Sequence, residues 1–218
     1  MTVSKSWVAE KLREHAYDIA CLRERFKRHQ PADMHCNETW GLDMTGKRDE
    51  LGQTHAVVGL IDHGSRRALV LEPACDRTAT GLLKFVVAAV ERFGKPKTLR
   101  TDNESVFKSK IFTEGLKLLN IRQKFSRLGQ PWDNGYIERL FGTLKESLNQ
   151  LVVPNAAALA QALAVFKAWY NEVRPHNHLH GLTPHEAWHD IDPYRNAPRH
   201  VEHFEAWDGL LTGLRIRY

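Results

Sequence analysis

Three acidic residues stand where acids are hard to explain as ordinary surface charge. Asp43 lies in the stretch T-W-G-L-D-M-T (39–45), between Leu42 and Met44. A carboxylate inside an apolar strand is uncommon unless it is paired or ligates a metal. Asp102 follows a short strand predicted over 97–101, at the carboxyl end, where open α/β sheets bind their ligands. Glu138 falls in the first turns of a helix that follows the loop P-W-D-N-G (131–135). If the first strand lies beside the fourth, two carboxylates meet at one sheet edge and the helix delivers the third. Three such acids cannot all ionise cheaply without cations. Hard divalent ions, Mg²⁺ or Mn²⁺, prefer oxygen ligands and keep positions open for water and phosphate. Two such ions about 3.5–4 Å apart stabilise both the attacking and the leaving oxygen of an in-line phosphoryl displacement. That chemistry needs acids and no nucleophilic side chain. The chain holds 26 acids, so the spacing alone is weak and the surrounding residues must carry the reading.

The elements that would position these residues are legible from periodicity. Residues 39–45 read as a first strand and 46–53 as a polar turn. His55–Asp62 is a nearly continuous β-branched run, a buried strand. The turn H-G-S (63–65) leads into a third strand over 68–71, which completes an antiparallel meander. The period then changes. Leu82, Leu83, Phe85, Val86, Ala89, Val90 and Phe93 mark a helix over 78–93, closed by Gly94 with Pro96 beyond. A strand over 97–101, a helix over 109–119 and a strand over 121–126 follow. Asp133 or Asn134 caps a long helix to about residue 150, and Asn155 caps another to about 171. The order β-β-β-α-β-α-β-α-α implies an α/β fold. Its mixed five-stranded sheet joins the meander to two parallel strands, with helices on the faces.

Composition restricts the alternatives. In 218 residues, 31 Lys and Arg face 26 Asp and Glu, a formal net charge of +5. This mild excess permits a nucleic-acid partner without demonstrating one. No apolar run approaches the roughly 18–20 residues of a membrane span, and the charged first 30 residues hold no signal-peptide core. Cys21, Cys36 and Cys75 form no C-x-x-C pair, against a disulfide scaffold or a thiolate zinc module. A reducing cytoplasm is the expected compartment. The N-terminal segment reads as a basic amphipathic helix. Val8, Leu12, Ile19, Leu22 and Phe26 lie on one face and Lys11, Arg13, Arg23, Arg25, Lys27 and Arg28 on the other, with Pro31 ending it.

The residues around the three acids resemble the DDE transposases and integrases of insertion sequences and retroviruses, whose catalytic core is RNase H-like. The matching stretches are W-G-L-D-M-T (40–45), L-R-T-D-N-E-S-V-F (99–107), F-S-R-L-G-Q-P-W-D-N-G-Y-I-E-R-L-F-G-T-L-K-E (125–146) and Y-N-E-V-R-P-H-N-H-L-H-G-L-T-P-H-E-A-W (170–188). They cover about 36–188, and the 35 residues between Asp102 and Glu138 match the family's spacing. The resemblance implies that Asp43, Asp102 and Glu138 bind two Mg²⁺ or Mn²⁺ ions and catalyse DNA cleavage and strand transfer. It also implies that Lys145, two helical turns after Glu138, contacts the DNA end. Arg127, Arg139 and Asn103 are its further DNA contacts, although Asn103 also reads as a turn residue. Trp132 and Tyr136 read either as base-stacking or as packing residues. Glu104 stands where many relatives carry glycine, and is expected to point away from the metals or to sit behind their ligands.

The same resemblance organises the rest of the chain. It implies a basic N-terminal helix and linker over 1–35, the catalytic core over 36–190 and a short extension over 191–218. DNA ends and target DNA are the expected partners, on a homo-oligomer. The 35 residues before the core are too few for a three-helix reader, so a helix-turn-helix partner protein is expected to recognise the ends. A non-joining RNase H-like nuclease and an inactive DNA-binding remnant are the alternative readings. In the His-rich tail, H-E-A-W-H (185–189) matches the zinc-protease pattern H-E-x-x-H. The helix there is short, lacks an H-x-x-G-x-x-H continuation and is already accounted for by the family match. Arg174 and His176 are expected to pack where the chain folds back on the core.

Overall fold

Alternation of side chains decides which way each strand faces, and the second strand shows it most clearly. Val58 and Leu60 bury toward one helical layer, while Val57 and Ile61 bury toward the other. The computed structural model describes residues 4–19, 34–127 and 134–218. The chain divides into two compact units, residues 1–33 and 34–218. In the first, α1 (Lys5–Glu14) is capped by Ser4, whose hydroxyl accepts from the Trp7 amide, and none of its residues is buried. Leu22, Phe26 and the stop at Pro31 lie outside the described residues.

The second unit is built on a sheet of order β3-β2-β1-β4-β5. Strands β1 (Thr39–Arg48), β2 (Thr54–Asp62) and β3 (Ala68–Pro73) form the antiparallel meander. Strands β4 (Thr98–Thr101) and β5 (Arg122–Phe125) add to β1 in parallel. The spacing predicts that the first strand stops at Thr45. Instead β1 continues through Gly46, Lys47 and Arg48, which pair with Ala56, His55 and Thr54. Polar residues suit this outer half of an antiparallel ribbon, because its backbone is paired whichever side chains it carries.

Helices α2 (Ala79–Phe93), α3 (Ser105–Lys108) and α4 (Lys110–Leu118) follow in the first half of the unit. Leu82, Val86, Phe112 and Leu116 of α2 and α4 share one core with Trp40, Leu42 and Leu60. The single-turn α3 has no periodicity to announce it and is absent from the sequence reading. Against the opposite face pack α5 (Gly135–Leu148) and α6 (Ala156–Glu172), through Ile137, Leu140, Phe141, Leu163 and Phe166. Gly94 ends α2 at φ 84°, a conformation that favours glycine. A short α7 (Pro184–Trp188) then leads to a hairpin of β6 (His200–Ala206) and β7 (Leu211–Arg217). The hairpin docks on α6: Leu211, Phe204 and Trp207 join its core, and the Trp169 indole donates to the Thr212 carbonyl at 3.0 Å. Among the described residues no helix is long and apolar enough to cross a membrane.

Candidate active site

The alternation of β1 puts Trp40 and Leu42 into the α2–α4 core and turns Gly41 and Asp43 toward α5. Asp43 pairs across the ladder with Gly59. A Cβ on Gly59 would stand 2.7 Å from the Phe141 ring and 3.3 Å from Ile137. The missing side chain therefore lets α5 lie directly on the sheet beside Asp43. In the parallel pair, Gly41 sits opposite Arg100, so Asp43, two residues on and still within β1, is level with Asp102 just past the end of β4. Helix α5 starts there, with Glu138 in its first turn.

The electrostatics show how near these groups are. Burial raises the Asp43 carboxyl first, and repulsion from Asp102, Glu104 and Glu138 raises it further, to about 6, while the Met44 amide opposes the shift. That amide donates to Asp43 Oδ1 at 2.7 Å, and Asn134 Nδ2 donates to Oδ2 at 3.3 Å. Asp102 Oδ1 accepts from the Glu104 amide at 3.0 Å. Glu104 is itself raised by partial burial and by Asp102, with Arg77 pulling the other way. Its charge reaches Asp43 as well as Asp102. Among the described residues, no three His, Cys, Asp or Glu side chains are gathered tightly enough to hold an ion as they stand. The donor set nevertheless suits a hard divalent cation: it is all carboxylate, and the repulsion of its neighbours is felt at Asp43.

The remaining predicted site residues fall in different places. Asn103 spends its amide nitrogen on the Ser126 carbonyl at 2.6 Å, tying the ends of β4 and β5. Arg127 is exposed just beyond β5, and Arg139 and Lys145 are exposed on α5. Tyr136 packs inward: the His63 ring lies 4.5 Å from its ring and the Arg66 guanidinium 3.9 Å from its centroid. Gly129, Pro131, Trp132 and the alternative cap Asp133 lie outside the described residues. The His185 and His189 rings lie 4.5 Å apart, tilted at 54°, but the glutamate between them is committed elsewhere. Glu186 accepts from the Thr183 amide and hydroxyl in a capping box and from the Tyr218 hydroxyl.

Sequence reasoning missed two features. Asn134 reads as a helix cap, yet its side chain makes no capping bond and turns to Asp43. Its Oδ1 is buried without a partner among the described residues. The second feature is a cluster of arginines and tyrosines on the far side of α5. Its only signal in the sequence is the pair Arg66-Arg67 in a turn after a buried strand.

Two models of the integrase core domain match residues 33–131 and 119–184. The insertion element IS407 uncharacterized 31.7 kDa protein of Burkholderia multivorans is 31% identical over 158 residues, 69% of this chain and 54% of that protein. The Pol polyprotein of Radiation murine leukemia virus is 35% identical over 113 residues, 50% of this chain and 19% of the polyprotein. The chain therefore spans about half the length of the first relative and a small part of the second. The HTLV-2 integrase catalytic core domain, solved in complex with magnesium in a dimeric form, matches with a TM-score of 0.59 at 20% identity, over 72% of this chain and 99% of that one. That likeness establishes a shared fold: the mixed five-stranded, helix-flanked sheet of an integrase catalytic core, which is RNase H-like.

Proposed function

Because the chain belongs to the family of integrase core domains, we propose that it is the catalytic core of a DNA transposase or integrase. It cuts a strand at the end of a mobile element and joins the resulting 3′-hydroxyl to target DNA. The observation that supports this reading is that Asp102 and Glu138 both act on the Asp43 carboxyl, and that all three acids lie inside the two matched regions. These three residues would hold two Mg²⁺ or Mn²⁺ ions. When bound, the ions activate the attacking oxygen and stabilise the leaving one at phosphorus.

The chain's own groups supply orientation. Asn134 and the Met44 amide fix the two oxygens of Asp43, and the Glu104 amide fixes Asp102. Groups held this way keep the reacting atoms in register, which contributes several kcal/mol to such displacements. Glu138 is exposed at the start of α5 and completes the set from a separate element. Arg127, Arg139, Lys145 and Asn103 would face DNA, and Lys145 shares the Glu138 face of α5. The proposal includes a homo-oligomer on DNA, in keeping with the dimeric form of the HTLV-2 core. End recognition by a helix-turn-helix partner, and action in a bacterial cytoplasm, belong to the same reading.

The test is joining of a pre-cut duplex carrying the element's end, in Mg²⁺ or Mn²⁺, by the wild type and by Asp102→Asn. Joined product from the wild type alone supports the proposal. Cleavage without joining makes the protein a nuclease. DNA binding with neither reaction, in either metal, makes it an inactive remnant.

A further inference from the structure

We infer that the cavity between α5, α6 and the β2–β3 turn binds a phosphate of the DNA backbone, at a site separate from the carboxylate edge. The inference rests on the proposed function for the identity of its ligand, and on the cavity itself for the chemistry.

The cavity has a volume of about 220 Å³, and Arg66, Tyr136, Arg139, Tyr170, Arg174 and His176 line it. Three elements each bring one arginine. Arg66 comes from the β2–β3 turn, where it holds a left-handed backbone at φ 62°, and its guanidinium lies over the Tyr136 ring at 3.9 Å. Arg139 comes from α5. Arg174 follows the end of α6, and its guanidinium stands 5.8 Å from the Tyr170 ring. All three act on the phenol of Tyr170, where each opposes the effect of burial.

Among the described residues no carboxylate balances them. None of the three guanidinium groups forms an ion pair with an acid among the described residues. Asp62, the acid whose field reaches Arg66, already accepts from the Asn37 amide at 2.9 Å and from the Ser65 amide and hydroxyl at 2.7 and 2.8 Å. Glu172 is engaged by Arg215 at 3.1 Å. Glu138 is adjacent to Arg139 in sequence, but successive residues leave a helix about 100° apart, and Glu138 faces the other acids. The histidine in the cavity does not add a balancing group either. Arg174 Nη1 stands 3.3 Å from His176 Nε2. Since a guanidinium only donates, this nitrogen must accept, and the ring is neutral. Burial and Arg174 push the His176 pKa down to about 4, in agreement.

A concave site with three planar donor forks, and no acid paired with them among the described residues, recognises an anion with several oxygens. Guanidinium forks match phosphate as they match carboxylate, and on the proposed function the anion at hand is DNA phosphate. Tyr136 and Arg139 bracket Glu138 on one helix. A strand held at the carboxylates therefore passes within about one helix diameter, ~10 Å, of the cavity mouth.

Two measurements on the full chain test this. The first is the salt dependence of binding to the pre-cut duplex. Arg139→Gln and Arg174→Gln should each flatten the slope of log K against log salt by about one, and the double variant by about two. Arg195→Gln, whose side chain pairs with Asp192 at 3.3 Å in the tail, should leave the slope unchanged. The second is melting in inorganic phosphate against chloride at equal ionic strength. Phosphate should raise the wild-type melting temperature, and the rise should disappear in the double variant. A folded double variant with wild-type slope and wild-type phosphate response overturns the inference. If the double variant does not melt cooperatively, Arg174→Lys replaces it. A retained slope with a reduced phosphate response then supports the site, and an unchanged response overturns it. Failure of the underlying reading looks different: the wild type would neither bind nor join the duplex, which removes the DNA assignment while phosphate stabilisation persists.

Discussion

Helix α5 borders two regions of opposite sign. On one side Glu138 meets Asp43, Asp102 and Glu104; on the other, Tyr136 and Arg139 meet Arg66 and Arg174. Elsewhere several half-buried charges are paired locally. His55 meets Asp49 at 2.8 Å, and Arg215 is shared between Glu172 and Glu202 at 3.1 and 3.2 Å. The two regions beside α5 lack this local balance. Each concentrates one sign of charge in partly buried surroundings, which is costly in a fold whose whole stability is about 5–15 kcal/mol. Such imbalance persists where function places it, and the missing counter-charge is what the two proposals supply: cations at the acids, a polyanion at the arginines.

The strongest way to break this comparison is to neutralise its two neighbours in turn. Glu138→Gln should lower strand joining by about 10²–10³-fold, the scale of losing one electrostatic stabiliser of a transition state, with duplex affinity kept. Arg139→Gln should do the reverse, weakening the duplex with a flatter salt dependence while joining at saturating DNA stays within about tenfold. Equal losses of joining in both variants, measured by single-turnover kinetics, would dissolve the distinction between the two sides of the helix.

Acid should push the two regions in opposite directions. His176 has its folded pKa lowered to about 4 against about 6.5 unfolded. Its contribution is complete above about pH 6.5 and is lost as pH falls toward 4, because the unfolded chain takes up the proton first. The loss amounts to about 3 kcal/mol. His63, held down to about 3 by burial and by Arg100 and Arg66, adds to it with the same sign. Asp43 is raised to about 6, so the folded protein takes up its proton first. In chelator, stability falls as pH rises from about 4 to 6, by roughly 2–3 kcal/mol. Urea unfolding across this range should therefore show His176→Gln with a shallower acid loss than wild type and Asp43→Asn with a steeper one. Parallel curves for all three proteins would refute the assignment.

The contact of α5 with the sheet is what keeps the two regions apart, and Gly59 controls it. Gly59→Ala places a methyl group 2.7 Å from the Phe141 ring. The ring or the helix must move, which costs about 1–3 kcal/mol. Because the displaced helix carries Glu138, joining should fall by more than the stability loss alone accounts for. Joining at the wild-type rate, in a variant destabilised by that amount, would show that the ring yields and the helix does not.

The limits of the sequence reading follow from the kind of signal each feature has. The meander, the parallel strands and the long helices are carried by apolar periodicity, and Trp40, Leu42, Val58 and Leu60 are buried where that period places them. Polar residues 46–48 gave no such signal, because antiparallel pairing holds them through the backbone. The proposed triad is readable from the sequence because motifs in order surround each acid. The arginine cavity was not, because Arg66, Arg139 and Arg174 lie on three separated elements and only folding brings them together. The β6–β7 hairpin was unassigned for a related reason. Its Leu211 is buried and its Trp207 partly buried against the α6 core, not by a pattern within the hairpin.

The smallest predicted effect concerns Asn134, whose role sequence and structure read differently. A cap would use its oxygen on the amides of the first helical turn. Here no such bond forms, and the amide nitrogen instead donates to Asp43 Oδ2 at 3.3 Å. A cap and a positioning residue respond differently to two substitutions. Asn134→Ser preserves capping chemistry but is too short to reach Asp43, whereas Asn134→Gln preserves the amide and poorly supports a cap. If Asn134 serves Asp43, Asn134→Ser should melt near wild type yet join about tenfold more slowly. It should also require more Mg²⁺ for half-maximal rate, as expected when the partner that orients a metal ligand is removed. Asn134→Gln should recover part of the rate despite its poorer capping. A serine variant that joins and titrates Mg²⁺ like wild type, beside a glutamine variant that mainly loses stability, would assign Asn134 to the helix.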